Sequence, residues 1–207
     1  LLIEYTGEAN CCWRPYLFII DEKGNVQNIG FRFPGGKGDL PKIFEREGNV
    51  YIAVSDMTFW YFYTGNPQGK IADKSFYRYF LIRDDTLLPS NEMFANDYIR
   101  EAKELESILQ KDITEIKQLI KLFSFEDWWS ALVKITLNYI MSGDKETAFE
   151  KLEKYHVKFY SIQPPFTPPL HDYQPIVPDD LSKVKREIEE LLILSDEFNW
   201  EIIKLNE

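Results

Sequence analysis

Cysteine is nearly absent from this chain: two residues in 207, and they are neighbours, Cys11 and Cys12. A secreted fold of this size would more often carry several spaced pairs, so the two thiols read as free and a reducing, cytoplasmic compartment is expected. Histidine is as scarce, with only His156 and His171. No Cys-x-x-Cys or His-x-x-x-His spacing exists, so no metal site is expected, and no cofactor either. His171-Asp172 is an isolated neighbour pair without a marked nucleophile.

Long apolar runs are missing too. The richest helical stretch, Trp128 to Met141, is interrupted by Lys134 and Asn138, well short of the roughly 18 apolar residues that cross a bilayer. A soluble chain without a membrane role is expected. Glycine gathers once, in Pro34-Gly35-Gly36-Lys37-Gly38-Asp39. That loop lacks the Gly-x-x-x-x-Gly-Lys-Ser/Thr spacing of a phosphate-binding loop, which leaves a flexible connection or a weak anion nest around Lys37.

Positive charge is in short supply. Lys and Arg number 24 against 34 Asp and Glu, a net charge of −10. Residues 1–89 hold 11 acids and 10 bases, which leaves 23 acids and 14 bases for residues 90–207. The acidity belongs to the second half. Such a balance argues against non-specific binding of phosphate backbones and suits either solvated helix faces or a basic partner.

Aromatic residues, by contrast, make up 15% of the chain, and 44% is hydrophobic, ample for a packed core. The densest stretch is Thr58-Phe59-Trp60-Tyr61-Phe62-Tyr63. Five consecutive aromatics cannot all face one core. As a strand, the run puts Phe59, Tyr61 and Tyr63 on one face and Trp60 and Phe62 on the other. One face packs inward; the other meets a second layer, a ligand or a partner.

Residues 1–89 otherwise follow strand rules. Trp13–Ile20 and Val26–Phe33 flank the turn-forming Asp21-Glu22-Lys23-Gly24-Asn25 and predict a hairpin. Pro15 puts the first of these strands at an edge, and a change of apolar phase near Gln27–Ile29 predicts a bulge. Pro41–Glu47 is expected to form a helical turn. Asn49–Ser55 and Ser75–Ile82 alternate as strands, the latter setting Tyr77 and Tyr79 against Phe76, Arg78 and Phe80. The sum is an antiparallel sheet of about five strands.

From Leu87-Leu88-Pro89-Ser90 the period becomes helical. Phe94, Tyr98, Ala102, Leu105 and Leu109 form one stripe, continued by Ile113, Ile116, Ile120 and Phe123 past an interruption where Asp112 and Glu115 can cap a fresh start. Ser124 and Asp127 form a second capping pattern. Trp128–Met141 is apolar nearly all round, which predicts a central buried helix ended by Gly143. Tyr139-Ile140-Met141-Ser142-Gly143-Asp144 followed by Ala148 resembles the turn and second helix of a tetratricopeptide-type hairpin. The likeness covers about 25 residues and occurs once, implying an antiparallel helix pair and no function.

Val157–Asp179 is proline-rich, with Phe159, Tyr160, Phe166 and Tyr173 among the prolines, and is expected to be a strap over the domain or an exposed recognition segment. Asp179 or Asp180 caps a last helix on the stripe Leu181, Val184, Ile188, Leu191 and Leu192. The fold class expected is therefore α+β: a sheet half, residues 1–89, and an acidic half of four or five helices, residues 90–207, packed as one domain.

Three functions fit. The first is a non-catalytic protein-binding module, such as an inhibitor, immunity-type protein or adaptor acting on a basic protein, with Phe59, Trp60, Tyr61, Phe62, Tyr63, Tyr77, Tyr79 and Arg78 as binding residues. The second is an enzyme or small-ligand binder with a pocket between sheet and helices. There Arg32, Lys37, Arg78 and Arg83 would hold an anion, the tyrosines would stack, and Asp56 would act as base. The third is an acidic mimic of DNA. Direct nucleic-acid binding by the sheet ranks below all three.

Overall fold

In a computed structural model, the structure describes residues 2–8, 11–20, 23–30, 41–56, 58–59, 62–63, 72, 76–83, 86–112, 115, 125–162 and 180–198. The fold is α+β. The chain divides into two compact units, one of Leu1–Thr58, Tyr77–Ser90 and Ile188–Glu207, the other of Phe59–Phe76 and Asn91–Glu187.

The first unit holds two sheets in place of the single five-stranded sheet expected. Strands β1 (Leu2–Glu8), β2 (Cys11–Ile20) and β3 (Val26–Gly30) form one, in that spatial order. The expected hairpin is present as β2 and β3, with Gly24 in the turn at φ 81°. Two details differ. Pro15 lies in the central strand opposite Ile3, because Leu2–Glu8 pairs on its other side. The register between β2 and β3 runs unbroken through Gln27, Asn28 and Ile29, and the irregularity falls between Tyr5 and Glu8 instead.

Strands β4 (Lys42–Arg46), β5 (Asn49–Asp56), β6 (Phe76–Arg83) and β7 (Thr86–Pro89) form the second sheet, again in sequence order. The helical turn expected at Pro41–Glu47 is strand β4: Lys42-Ile43-Phe44-Glu45-Arg46 obeys a period of two, and a tight turn at Glu47-Gly48 returns it antiparallel onto β5. Both turn residues have positive φ, 53° and 75°, as a type I′ hairpin turn requires. Glutamate is a poor occupant of the left-handed region, where asparagine is favoured. Glu47→Asn is accordingly expected to stabilise the protein by about 0.5–1 kcal/mol, read as a higher urea midpoint at unchanged slope. Strand β7 was not evident from the sequence; it pairs Leu87 with Ile82 and Leu88 with Leu81, and Ser90 N–H extends the pairing to Tyr79 C=O at 2.9 Å.

The second unit is helical. A 3₁₀ turn, Asn91–Phe94, leads into α1 (Ala95–Leu109), which buries Tyr98, Ala102, Leu105 and Leu109 on the expected stripe. Asp112 accepts the Glu115 N–H at 2.9 Å while Glu115 accepts the Asp112 N–H at 3.3 Å, the reciprocal cap expected at the interruption. Lys158 of α3 (Lys145–Ile162) donates to the carbonyls of Leu109 and Lys111 at 2.6 and 3.1 Å. It supplies the cation that the last turn of α1 lacks. Burial holds the Lys158 ammonium below its ordinary pKa, with neighbouring Lys154 adding to the effect.

Helix α2 (Phe125–Met141) is the buried element the composition predicts: from Asp127 to Tyr139 only Lys134 is half-buried and the rest are buried. It packs against both α1 and α3. It ends in a Schellman motif around Gly143 at φ 90°, in which Asp144 N–H reaches Tyr139 C=O and Gly143 N–H reaches Ile140 C=O, each at 2.9 Å. Asp144 then caps α3 through the Thr147 N–H at 3.0 Å. Trp128 near the start of α2 donates to Tyr155 C=O far along α3 at 3.2 Å, so the pair is antiparallel, as the hairpin resemblance implies. Helix α4 (Leu181–Phe198), whose residues from Ile188 on belong to the first unit, is capped by Asp180, which accepts the Ser182 and Lys183 N–H groups at 3.0 and 3.2 Å.

The segment expected as a proline-rich strap is in part something else. Val157–Ile162 are the last turns of α3, and residues 163–179 lie outside the described residues. No described helix is long and apolar enough to cross a membrane.

Candidate functional site

The described residues of the aromatic run, Thr58, Phe59, Phe62 and Tyr63, lie in turns and not in a strand. Phe62 N–H donates to Phe59 C=O at 3.0 Å, closing a turn that brings the two rings to 5.5 Å. Phe59 is fully buried and also meets Phe76; Phe62 lies nearly parallel to Trp129 of α2, with centroids 6.4 Å apart. Trp129 Nε1 donates to Phe62 C=O at 3.0 Å. Tyr63 sits in the left-handed region at φ 55°, a conformation that strains a residue with a side chain by roughly 1–2 kcal/mol. Its ring packs edge-on against Phe62 and Trp129, and its hydroxyl donates to Glu187, contacts that offset the strain. Burial and the Glu187 carboxylate push the Tyr63 hydroxyl up to about 12. Phe59, Phe62 and Tyr63 are thus committed to the helical unit, and Trp60 and Tyr61 lie outside the described residues.

Arg78 and Asp56 are likewise committed. The Arg78 Nε lies 2.6 Å from Asp56 Oδ2, both side chains at or below 5% exposure, while Asp56 Oδ1 accepts the Thr58 N–H at 2.9 Å. The pair lies on the face of the second sheet that carries buried Ile52, Val54, Phe76 and Phe80. With the Arg78 guanidinium on one oxygen and a backbone N–H on the other, the Asp56 carboxylate is engaged in a structural pair, and so is the guanidinium that holds it. Arg32 and Lys37 lie outside the described residues.

The opposite face of that sheet has a different character. Cross-strand partners share a face, so the pairs Lys42–Ala53, Phe44–Tyr51, Arg46–Asn49, Leu81–Leu88 and Arg83–Thr86 all project to one side. Tyr77 and Tyr79 join them by the strand period. Phe44 stacks on Tyr51 at 6.0 Å and meets Tyr79 edge-on at 6.2 Å; Tyr77 and Tyr79 are 6.4 Å apart. Lys42 Nζ donates to Tyr77 Oη at 3.0 Å and stands 4.9 Å from the ring centre. Tyr51 is buried, Phe44, Tyr77, Tyr79 and Arg46 are half-buried, and Lys42 and Arg83 are exposed. Three cations border a row of aromatic rings, and none of the described strand residues on this face is an acid.

No family model, no curated protein and no solved structure matches the chain. The site therefore rests on its own geometry. Of the expected residues, the structure brings together Tyr77, Tyr79 and Arg83 and sends Arg78 to the other side of the sheet. Sequence reasoning missed Lys42, Phe44 and Arg46, although the alternation of residues 42–46 carries the signal.

A second polar cluster, also unforeseen, joins α1, α2 and α3. Buried Glu106 accepts from Tyr139 Oη at 2.6 Å, Lys151 Nζ at 2.6 Å and Tyr155 Oη at 2.9 Å, and Gln110 donates to Tyr155 Oη at 3.1 Å. Burial works to raise the Glu106 pKa, but the hydrogen bonds from Lys151, Tyr139 and Tyr155 outweigh it and hold the carboxyl below its ordinary value. Burial and Glu106 push the Tyr139 hydroxyl well above the usual range and, against an opposing hydrogen bond from Gln110, raise Tyr155 to about 12. With its oxygens engaged by three donors, this carboxylate clamps helices rather than doing chemistry. A lowered carboxyl pKa means that the ionised form stabilises the fold above about pH 4.5 and that this contribution is lost as pH falls through the lowered value. Glu106→Gln is expected to cost about 2–3 kcal/mol at neutral pH, less than a fully buried pair because Lys151 is 25% exposed. It is also expected to flatten the acid limb of stability measured by urea unfolding from pH 7 to 3. An unchanged acid limb would count against the clamp. Among the described residues, no three His, Cys, Asp or Glu side chains gather as a metal requires.

Proposed function

We propose that the protein is a non-catalytic protein-binding module, of the kind an inhibitor, immunity-type protein or adaptor provides, and that it engages its partner through the aromatic face of β4–β7. The observation that carries this reading is the half-buried row Phe44, Tyr77 and Tyr79 bordered by Lys42, Arg46 and Arg83. Rigid aromatic anchors ringed by charge are the composition on which interfaces concentrate their binding energy. The competing reading, a catalytic or ligand pocket using Asp56 and Arg78, loses support because those two groups neutralise each other.

The test is capture of cross-linked partners from the protein's own cells by the wild type, by Arg83→Glu, and by Lys103→Glu, an exposed change on α1. The expected result is a protein retained by the wild type and by Lys103→Glu and lost from Arg83→Glu, with all three melting alike. Identical captures by all three, or none by the wild type, would remove the basis for the reading.

A further inference from the structure

We infer that the outer edge of β4 is a strand-addition site, where an extended segment of another protein, carrying a basic and an aliphatic residue, lengthens the sheet antiparallel to β4. The inference goes beyond the aromatic-face reading and stands on different residues, Ile43, Glu45 and Val50. Its basis is the β4–β5 hairpin. A two-residue turn joins Arg46 to its partner Asn49, and the residues that flank such a turn exchange both backbone hydrogen bonds. Bonded and unbonded pairs alternate along an antiparallel ladder, so Arg46, Phe44 and Lys42 commit their backbone groups to β5, while Ile43 and Glu45 direct theirs outward. Strand β4 ends its sheet, and no described strand lies against that edge.

The side chains of the same two residues are exposed. Ile43 pairs with Ile52 and Glu45 with Val50, so all four lie on the face of the sheet opposite the aromatic row. Ile52 is fully buried, but Ile43 is 46% and Val50 43% exposed, so the apolar surface of that face runs out to the edge uncovered. Glu45 is exposed and makes no ion pair or side-chain hydrogen bond among the described residues. An added strand meets these features together: its backbone pairs with Ile43 and Glu45, and alternate side chains continue the apolar surface past Ile43 and answer the Glu45 carboxylate.

Charge fixes what the segment carries and disfavours a second copy of this chain. In antiparallel order the residue opposite Glu45 comes two positions before the one opposite Ile43, so the complement reads basic, any residue, aliphatic. Two copies paired through β4 would set Glu45 against Glu45 in one register and Lys42 against Arg46 in another, and like charges directly opposed are destabilising. The register centred on Ile43 escapes both, but it sets Glu45 against Pro41, which has no N–H to donate. A charged residue on an edge strand guards the edge against indiscriminate pairing. Here Glu45 turns away the copy and admits a lysine.

The experiment is nuclear magnetic resonance on the isotope-labelled full chain, titrated with a short threonine-rich peptide that carries Lys-Thr-Val at its centre. In the protein alone, the Ile43 and Glu45 amides are expected to exchange with solvent faster than that of Phe44; with the peptide bound, both shift and slow. A peptide N-methylated at its lysine and valine cannot donate to β4 and is expected to bind about tenfold more weakly. Glu45→Lys is expected to cost the lysine peptide about five- to tenfold in affinity and to favour a glutamate counterpart instead, while Lys103→Glu changes nothing. Slow exchange of Ile43 and Glu45 in the protein alone would mean that the edge is already paired and would overturn the inference. So would self-association through β4, no binding of the lysine peptide, equal binding of the methylated one, or indifference to Glu45→Lys. None of these outcomes involves Arg83, so this test and the capture that tests the aromatic face succeed or fail separately.

Discussion

Trp129→Ala is expected to cost about 3–5 kcal/mol, the range for deleting a large aromatic side chain from a core. Trp129 is fully buried in α2 and touches Phe62, Tyr63 and His156 with ring centroids 6.0–6.4 Å apart. Its indole N–H also satisfies the Phe62 carbonyl at 3.0 Å. Alanine therefore opens a cavity, frees the turn that holds Phe59 and Phe62, and leaves a buried acceptor without its donor. Trp129→Phe separates these effects: it keeps most of the ring contacts and removes the donor, for an expected loss of about 1–3 kcal/mol. Urea unfolding followed by far-ultraviolet circular dichroism checks both. A loss below about 1 kcal/mol for the alanine variant would mean that the aromatic run is not anchored on α2, since no core tryptophan is that cheap to delete.

Arg78→Met is expected to cost about 3–5 kcal/mol, because it strands the buried Asp56 carboxylate without its guanidinium partner. The apolar stem of methionine fills most of the arginine's path, so the loss is chiefly electrostatic. Adding Asp56→Asn removes the stranded charge, keeps an acceptor for the Thr58 N–H, and is expected to recover most of the loss. This double variant distinguishes two roles for Arg78. A structural ion pair gives a large loss that the second substitution repairs. An arginine kept for an anionic ligand would give a variant of unchanged stability, and that outcome would return Arg78 to the binding residues.

Several of the sequence expectations were about neighbours along the chain, and those are where sequence and structure agree. The reciprocal cap of Asp112 and Glu115, the Gly143 stop, the cap at Asp180 and the stripe of α1 all depend on residues within about one helical turn. The errors cluster where a local pattern has two solutions. Residues 42–46 are too few for their period to prevail over the turn signal of Pro41, and Thr58–Tyr63 is as apolar as a core strand although its described residues lie in turns. Pro15 marked an edge only while Leu2–Glu8 went unrecognised as its neighbour.

The sequence by itself determined an α+β protein with several of its helix caps and stops, a helix buried nearly all round, and a tyrosine-bearing strand, because periodicity and capping are settled within a few residues. Tertiary structure alone decided which aromatics serve the core and which the surface. It placed Phe62 on Trp129 from 67 residues away, packed Phe59 against Phe62 and Phe76, and closed Glu106 onto Tyr155 across 49 residues. It turned Arg78 inward to Asp56, while Phe44, Tyr77 and Tyr79 were left half-exposed among Lys42, Arg46 and Arg83. The reason is physical: a side chain's type sets what it needs, an apolar neighbour or an opposite charge, but only the folded chain sets which distant group arrives to meet that need.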